Sequence, residues 1–420
     1  MTDTEKQSRL SLRVIRSLRE VSAADWNACA NPPYLQGQNE TAAGIRGSEN
    51  RAQQERYNPF LSHAFLSALE DSGSAIAKTG WGAAHLLVED ENGLLLGCAP
   101  AYIKTHSMGE YVFDYAWADA YERAGGRYYP KLLSAVPFTP AQGRRLLAAP
   151  GARAASTRKA LAAGLKALAE KSGCSSVHVN FGLDEDNTAL AGAGFLHRTN
   201  KQFHFYNKSY STFDDFLNAL SSRKRKTIRR ERRDALRNDV IIEWISGASI
   251  TEKHWDAFFN FYMDTGSRKW GRPYLTRDYY SLVGERMADR ILLVMAKRQG
   301  RYIAGAINFI GDDALYGRNW GCMEDHPFLH FEVCYYQAIQ FAIEHRLARV
   351  EAGAQGEHKL LRGYEPVTTH SAHYFTDPGL GRAVEGFLQE ERRAIAEAIQ
   401  TYGEYVPFRK DRDREAEQEY

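Results

Sequence analysis

The sequence predicts an α/β chain built as two similar halves, each a mixed, mostly antiparallel sheet flanked by helices. Three observations carry this reading. Short apolar runs of strand period alternate with longer amphipathic runs of helix period. One order of elements, a hairpin, a strand, a helix, a strand and a Gly-aromatic turn, occurs twice. At 420 residues the chain exceeds what a single core usually organises, so two domains of roughly 200 residues are expected.

In the first half SHAFLSALEDSG reads as a helix, with Ser62 as N-cap and Gly73 as stop. HLLVEDENGLLLGCAPAYIK reads as a hairpin turning at Asn92-Gly93. Strands are expected around YVFDYAW and SAVPFTP, then a helix in TRKALAAGLKALAEKSG, a strand in SSVHVNF, and GFLHR leading into FHFYN. The second half repeats the order. HWDAFFNFYMDTG is a helix, ILLVMAKRQGRYIAGAINFI a hairpin at Gln299-Gly300, and ALYGRNW a strand. PFLHFEVCYYQAIQFAIEHRL is a long helix, ARVEAG a strand, and Gly363-Tyr364 the closing turn. The expected division is 1–205, 206–407 and a charged tail at 408–420, with a polar, aperiodic, mobile insertion at 31–56.

Composition excludes several classes. With 44% hydrophobic and 25% charged residues the chain is an ordinary soluble protein, and a net charge of +2 gives no global attraction to polyanions. Five scattered cysteines, without a C-x-x-C pair, suggest neither a disulfide framework nor a zinc knuckle. The polar N-terminus lacks a signal-peptide core, and the longest apolar run, LLLGCAPAYI, is too short to span a bilayer. A cytoplasmic protein without a membrane span is expected.

A meander, one crossover helix, a further strand and a Gly-aromatic turn is the order of a GNAT-type acyltransferase domain, an analogy of fold. The blocks NPFLSHAFLSALEDSGS, HSMGEYVFDYAWADAYERAGGRYYPKL, AVPFTP, LYGRNWG, LHFEVCYYQAI and VEAGAQGEHKLLRGYEP resemble the FemAB-like predicted N-acyltransferases, named for roles in peptidoglycan synthesis. The resemblance implies tandem GNAT-like domains that move an acyl or aminoacyl group, from acyl-CoA or aminoacyl-tRNA, to a small-molecule or peptide amine. A cell-wall precursor is the acceptor it suggests, and no metal is required. The coiled-coil arm of some Fem proteins has no counterpart, since no heptad run occurs.

Such chemistry needs a neutral amine, a stabilised oxyanion and a cradle for phosphates, but no covalent enzyme intermediate. The resemblance puts an acid and a glycine at Glu351 and Gly353, and an oxyanion-stabilising lysine at Lys359, with Arg362 as its rival before Gly363-Tyr364. Glu332, beside the apolar stripe of the long helix, is either a general base or a complement to the helix dipole. Glu332 and Glu351 both remain candidates to accept the amine proton. His326 and His330 stand at i, i+4, but no third ligand at motif spacing suggests a metal.

Thr139, Gln142, Gly143 and Arg144, in VPFTPAQGRRLL, occupy the place of a pyrophosphate-binding turn, against the alternative of an ordinary Pro-Gly loop. The aromatic and acidic block 106–131 offers His106, Glu110, Asp114, Asp119 and Tyr121 as substrate contacts. Arg318, Trp320, His330, His358 and Tyr364 are the corresponding contacts of the second half.

The stretch SRKRKTIRRERRDALR, residues 222–237, holds nine Lys or Arg against two acids. Arg225 and Arg229 represent it as phosphate contacts, the rival explanation being a solvated helix face. The leading reading is therefore an N-acyltransferase with its site between two domains. Its rival is a non-catalytic module that binds tRNA or other RNA through the basic helix.

Overall fold

The computed structural model describes residues 10–32, 57–269, 273–353 and 356–409. The expected insertion at 31–56 and tail at 408–420 lie almost wholly outside the described residues.

The strands in chain order are β1 (Ser11–Ile15), β2 (Trp81–Ala83), β3 (His85–Glu89), β4 (Leu95–Ala99), β5 (Tyr102–Lys104), β6 (Lys131–Ser134), β7 (Leu147–Ala148) and β8 (Ser176–Gly182). There follow β9 (Leu196–Tyr206), β10 (Ile241–Ser246), β11 (Ile291–Arg298), β12 (Arg301–Ile310), β13 (Ala314–Cys322), β14 (Arg349–Glu351) and β15 (Glu365–Phe375). Strands β1, β3, β4 and β7 form a small sheet, and the other eleven form a large one in the order β10-β11-β12-β13-β14-β9-β15-β8-β6-β5-β2. The expected class, a mixed and mostly antiparallel α/β architecture, is what this topology shows. Among the described residues only β6 with β8 and β13 with β14 run parallel.

Local chemistry explains most elements. Ser62 caps the helix His63–Asp71 through its side chain, and Gly73, at φ 72°, follows its end. Asn92-Gly93 lies between β3 and β4, with Asp90 accepting the amides of Asn92 and Leu94. Gln299 and Gly300 both adopt positive φ between β11 and β12, as a two-residue hairpin requires. Helix Ala154–Lys171 buries Leu161, Leu165 and Leu168 against the first half of the sheet. The long helix of the second half runs from Leu329 to Glu344 and carries a π-helical turn at Glu332–Tyr336, a distortion that recurs at functional sites.

Two expected strands are replaced. YVFDYAW enters a helix, Tyr115–Arg123, whose Trp117 and Ala118 are buried beneath it. Only the start of SAVPFTP is extended, since β6 ends at Ser134 and Pro137 and Pro140 cannot donate to a ladder. Three helices were not read from the sequence: Ala23–Ala30, Arg277–Met287 and Pro378–Glu404, the last with Asp377 as N-cap and proline at its first position.

The halves exchange their last strands. β9, which closes the first half, pairs with β14 of the second, while β15, which closes the second, pairs with β8 of the first. β9 and β15 also pair with each other from Glu365↔His204 to His373↔Leu196. Hydrogen bonding therefore runs across the sequence division at 205/206. Because β8 reaches β15 only from His370 onward, residues 365–369 of β15 pair on one side alone.

Candidate active site

Each half contains a parallel pair that parts. β13 and β14 share register only over Ala314↔Arg349, Leu315↔Val350 and Tyr316↔Glu351, after which β13 continues without its partner. β6 and β8 part after Ser134↔Val179. A cavity of about 540 Å³ lies between the halves near the unpaired edge of β15. Its walls include Gln142, Gly143, Arg144, Asp184 and Glu185 from the first half, and Tyr316, Arg349 and Glu351 from the second.

Glu351 is the best-defined acid there. Strand alternation sets it beside Arg349, whose Nε donates to Glu351 Oε1 at 3.0 Å. Arg349 also binds the Asp313 carboxylate. Cross-strand register puts His204 opposite Glu351, with His204 Nε2 3.9 Å from Glu351 Oε2. Burial pushes His204 down to about 4, so its imidazole is neutral near pH 7. Glu351 Oε2 is itself buried and makes no hydrogen bond, a costly state for a carboxylate oxygen.

Just past β14 lies the segment with the expected oxyanion lysine. Lys359 is 2% exposed, and its Nζ donates to Gly353 O at 2.8 Å. Burial lowers Lys359 to about 7. Gly353, Gly356 and Gly363 take positive φ around it, where side chains other than glycine are strained. Trp320, His330, His358 and Tyr364 come together in one aromatic cluster with Phe331 and Tyr335. His330 lies 5.2 Å from Trp320 and 6.2 Å from His358 between ring centroids, and Tyr335 Oη and His358 Nε2 are 2.8 Å apart. Tyr364 packs on Tyr335.

The other two charged candidates are tied to the basic helix, Ser222–Ala235. Arg232 donates to both oxygens of the fully buried Glu332, and Gln337 adds a bond at 2.6 Å. Arg362 binds Glu231 and lies over the Phe331 ring at 3.3 Å. Neither Glu332 nor Arg362 lines the cavity. Arg225 is bound by Asn218, and Arg229 by Asp214. Arg223, Lys226 and Arg230 are exposed and spaced to share one helix face, while the exposed Arg233 and Arg237 pair with Asp234.

Of the phosphate-turn candidates, Gln142, Gly143 and Arg144 line the cavity. Arg144 spends hydrogen bonds on the carbonyls of Cys29 and Ala30. Thr139 is buried elsewhere, its hydroxyl on Pro137 O. Arg318 donates to Phe138 O and so joins the halves.

The block 106–131 is organised around a cation that sequence reasoning passed over. Lys131 Nζ, fully buried, donates to Ser107 and Glu110 at 2.7 Å and to Asp114 at 2.5 Å. Glu110 and Asp114 therefore face inward. Burial raises Glu110 to about 7 and lowers the nearby Lys104 to about 7. Tyr128 links Asp114 to His178, whose Nδ1 is 2.6 Å from that of His373. His106 bonds the Thr79 carbonyl, Asp119 pairs with Arg123 on the surface, and the Tyr121 ring fills the space a Cβ at Gly126 would need.

Sequence reasoning also missed Arg349, His204 and Asp313. The Arg-x-Glu spacing of β14 was a readable signal for Arg349, since strand alternation puts i and i+2 on one face. His204 had none, because its partner is fixed by the strand exchange. Among the described residues no group of three or more metal-ligating side chains occurs, and no helix is long and apolar enough to cross a membrane.

Comparison with known proteins bears on this geometry. No curated protein is matched. Among solved structures, FemX is 12% identical over 77% of this chain and 93% of its own, with a TM-score of 0.48. A tandem GNAT protein from the clavulanic acid biosynthesis pathway is 12% identical over 88% and 99%, at 0.42. L-PGS from Bacillus licheniformis is 10% identical over 84% and 98%, at 0.46. The FemAB-like family, described as peptidoglycan biosynthesis/recognition, matches residues 17–410. Matched over nearly its whole length, the chain belongs to the FemAB-like family and, as a member, is an acyltransferase.

Proposed function

We propose that the protein transfers an aminoacyl group from aminoacyl-tRNA to an amine of a peptidoglycan precursor in the cytoplasm. The observation that carries this reading is the buried, unbonded Oε2 of Glu351 in the cavity between the halves, with Lys359 just beyond the same strand. Glu351 takes a proton from the acceptor ammonium. The freed amine attacks the ester carbonyl, the nitrogen–carbon bond forms, and the carbon–oxygen bond to the ribose breaks. The nitrogen's second proton goes to the departing ribose oxygen. Lys359, in its protonated form, stabilises the oxyanion between these steps.

The donor assignment rests on the basic helix. From Arg223 to Arg233 the exposed cations of the helix Ser222–Ala235 span about 15 Å at helical rise, a length suited to successive phosphates of an RNA backbone. The helix is tied through Glu231 to the segment bearing Lys359. Purified protein is incubated separately with labelled acetyl-CoA and charged tRNA, and cell extract is then added. Discharge of tRNA alone supports the reading, and discharge of acetyl-CoA alone replaces the donor. Salt-sensitive RNA binding without any discharge would favour the non-catalytic module.

A further inference from the structure

We infer that Cys29 and Cys98 form a reversible dithiol–disulfide pair, an oxidation site for hydrogen peroxide, whose closure moves the Arg144 wall of the cavity between the halves. The pair stands apart from the acyl-transfer reading, since neither sulfur takes part in it.

Cys29 lies on the helix Ala23–Ala30 and Cys98 on β4. Both side chains are fully buried in one core with Trp26, Leu87 and Leu147, and both thiols are free. Cys29 Sγ lies 4.0 Å from Leu95 O of β4, and the two thiols share a hydrogen bond. The sulfurs are unequal. The Cys98 thiol, donating to Cys29, and the nearby Arg144 guanidinium hold the Cys29 thiol below its ordinary range, whereas burial raises Cys98.

The thiolate is the nucleophile in thiol oxidation, so Cys29 reacts first and Cys98 resolves. The Cys29 thiolate attacks one peroxide oxygen and the O–O bond breaks. The departing hydroxide takes up the proton the thiol had lost, leaving a sulfenic acid and water. Cys98 then attacks that sulfur, the S–O bond breaks, and a second water leaves as the S–S bond forms. Two thiols have given two electrons and two protons to one peroxide. In a reducing compartment such disulfides are transient and sense oxidants.

Hydrogen bonds carry the change to the cavity. Arg144 Nη1 and Nη2 donate to the carbonyls of Cys29 and Ala30 at 3.3 and 2.7 Å. Asn31, which closes the helix, exchanges two hydrogen bonds with Asn58, and Asn58 Nδ2 donates to Gln142 O at 3.2 Å. Asn58, Gln142 and Arg144 all line the cavity. An S–S bond of about 2 Å is shorter than a hydrogen-bonded thiol contact, so its closure draws the end of the helix toward β4 and Arg144 with it.

The full-length protein is treated with hydrogen peroxide, then with dithiothreitol, and followed by intact mass, peptide mapping and amide hydrogen exchange. Expected are the loss of two hydrogens and of two of the five thiols, a Cys29–Cys98 cross-link, exchange altered several-fold at residues 142–145, and reversal of all three by dithiothreitol. Cys98→Ala should oxidise at Cys29 without a cross-link, and the peptide map of the unaltered chain decides even where that variant fails to fold. Thiols at 29 and 98 that stay reduced until the protein unfolds, or a cross-link between other cysteines, overturn the site. A Cys29–Cys98 cross-link that leaves exchange at 142–145 unchanged overturns its link to the cavity. No readout involves turnover, so failure here and failure of the functional reading are separate results.

Discussion

The guanidinium of Arg362 donates to both carboxylate oxygens of Glu231, at 3.1 and 3.0 Å, and both residues are buried. Breaking a buried pair strands the remaining charge, at a cost of about 3–5 kcal/mol. Glu231→Gln and Arg362→Ala should each lower the denaturation midpoint by an amount of that order. Replacing both by leucine should recover much of the loss. An unchanged midpoint in the single variants would show that the pair does not hold the basic helix in place.

Glu351 and Glu332 should separate cleanly. Glu351→Gln is expected to lower kcat by about two orders of magnitude or more, as loss of a proton acceptor does, with the fold intact by circular dichroism. Glu332→Gln should act on stability through the lost Arg232 pair, leaving kcat near its original value. Steady-state kinetics with matched thermal melts distinguishes the two.

Lys359 gives a pH signature. Since burial lowers it to about 7, a role as oxyanion-stabilising cation predicts that kcat falls as pH rises through about 7, and Lys359→Ala should lose turnover by orders of magnitude. The same shift has a stability sign. Between about 7 and the free-lysine value near 10.4 the unfolded chain binds a proton that the folded chain does not, so this residue makes stability rise with pH across that window. Lys359→Met should flatten that rise in a series of melts.

The exposed row Arg223, Lys226 and Arg230 should matter for RNA and little for folding. Changing all three to glutamine is expected to reduce the salt slope of tRNA binding by about two to three. A filter-binding titration with an unaltered slope would remove the helix from the donor site.

Lys131 is predicted to be the most sensitive charged residue of the first half. Lys131→Met leaves Glu110 and Asp114 buried without their cation, a loss of about 3–5 kcal/mol, read from chemical denaturation.

What the sequence revealed was local. The cap at Ser62, the turns at Asn92-Gly93 and Gln299-Gly300, and the apolar stripe of Ala154–Lys171 follow from chemistry within a few residues. The structure places Glu351, Lys359 and the Trp320, His330, His358 and Tyr364 group on or just after β13, β14 and the helix between them, segments that the sequence order already set in succession. YVFDYAW misled because tertiary burial of Trp117 outweighed its strand-like aromatics. Lys131 was hidden because its carboxylate partners are 17 and 21 residues away. His178 and His373, 195 residues apart, meet only because β15 lies beside β8.

That placement also governs the order in which the protein can become active during synthesis. The cavity counts Thr368 and His370 of β15 among its walls, and β8 has no outer neighbour until β15 arrives. A nascent chain released from the ribosome before β15 is made would hold Glu351 and Lys359 yet lack the strand that lies between β9 and β8. On the proposed reading catalytic competence is thus withheld until β15 has been synthesised, and a chain terminated before it is expected to transfer nothing.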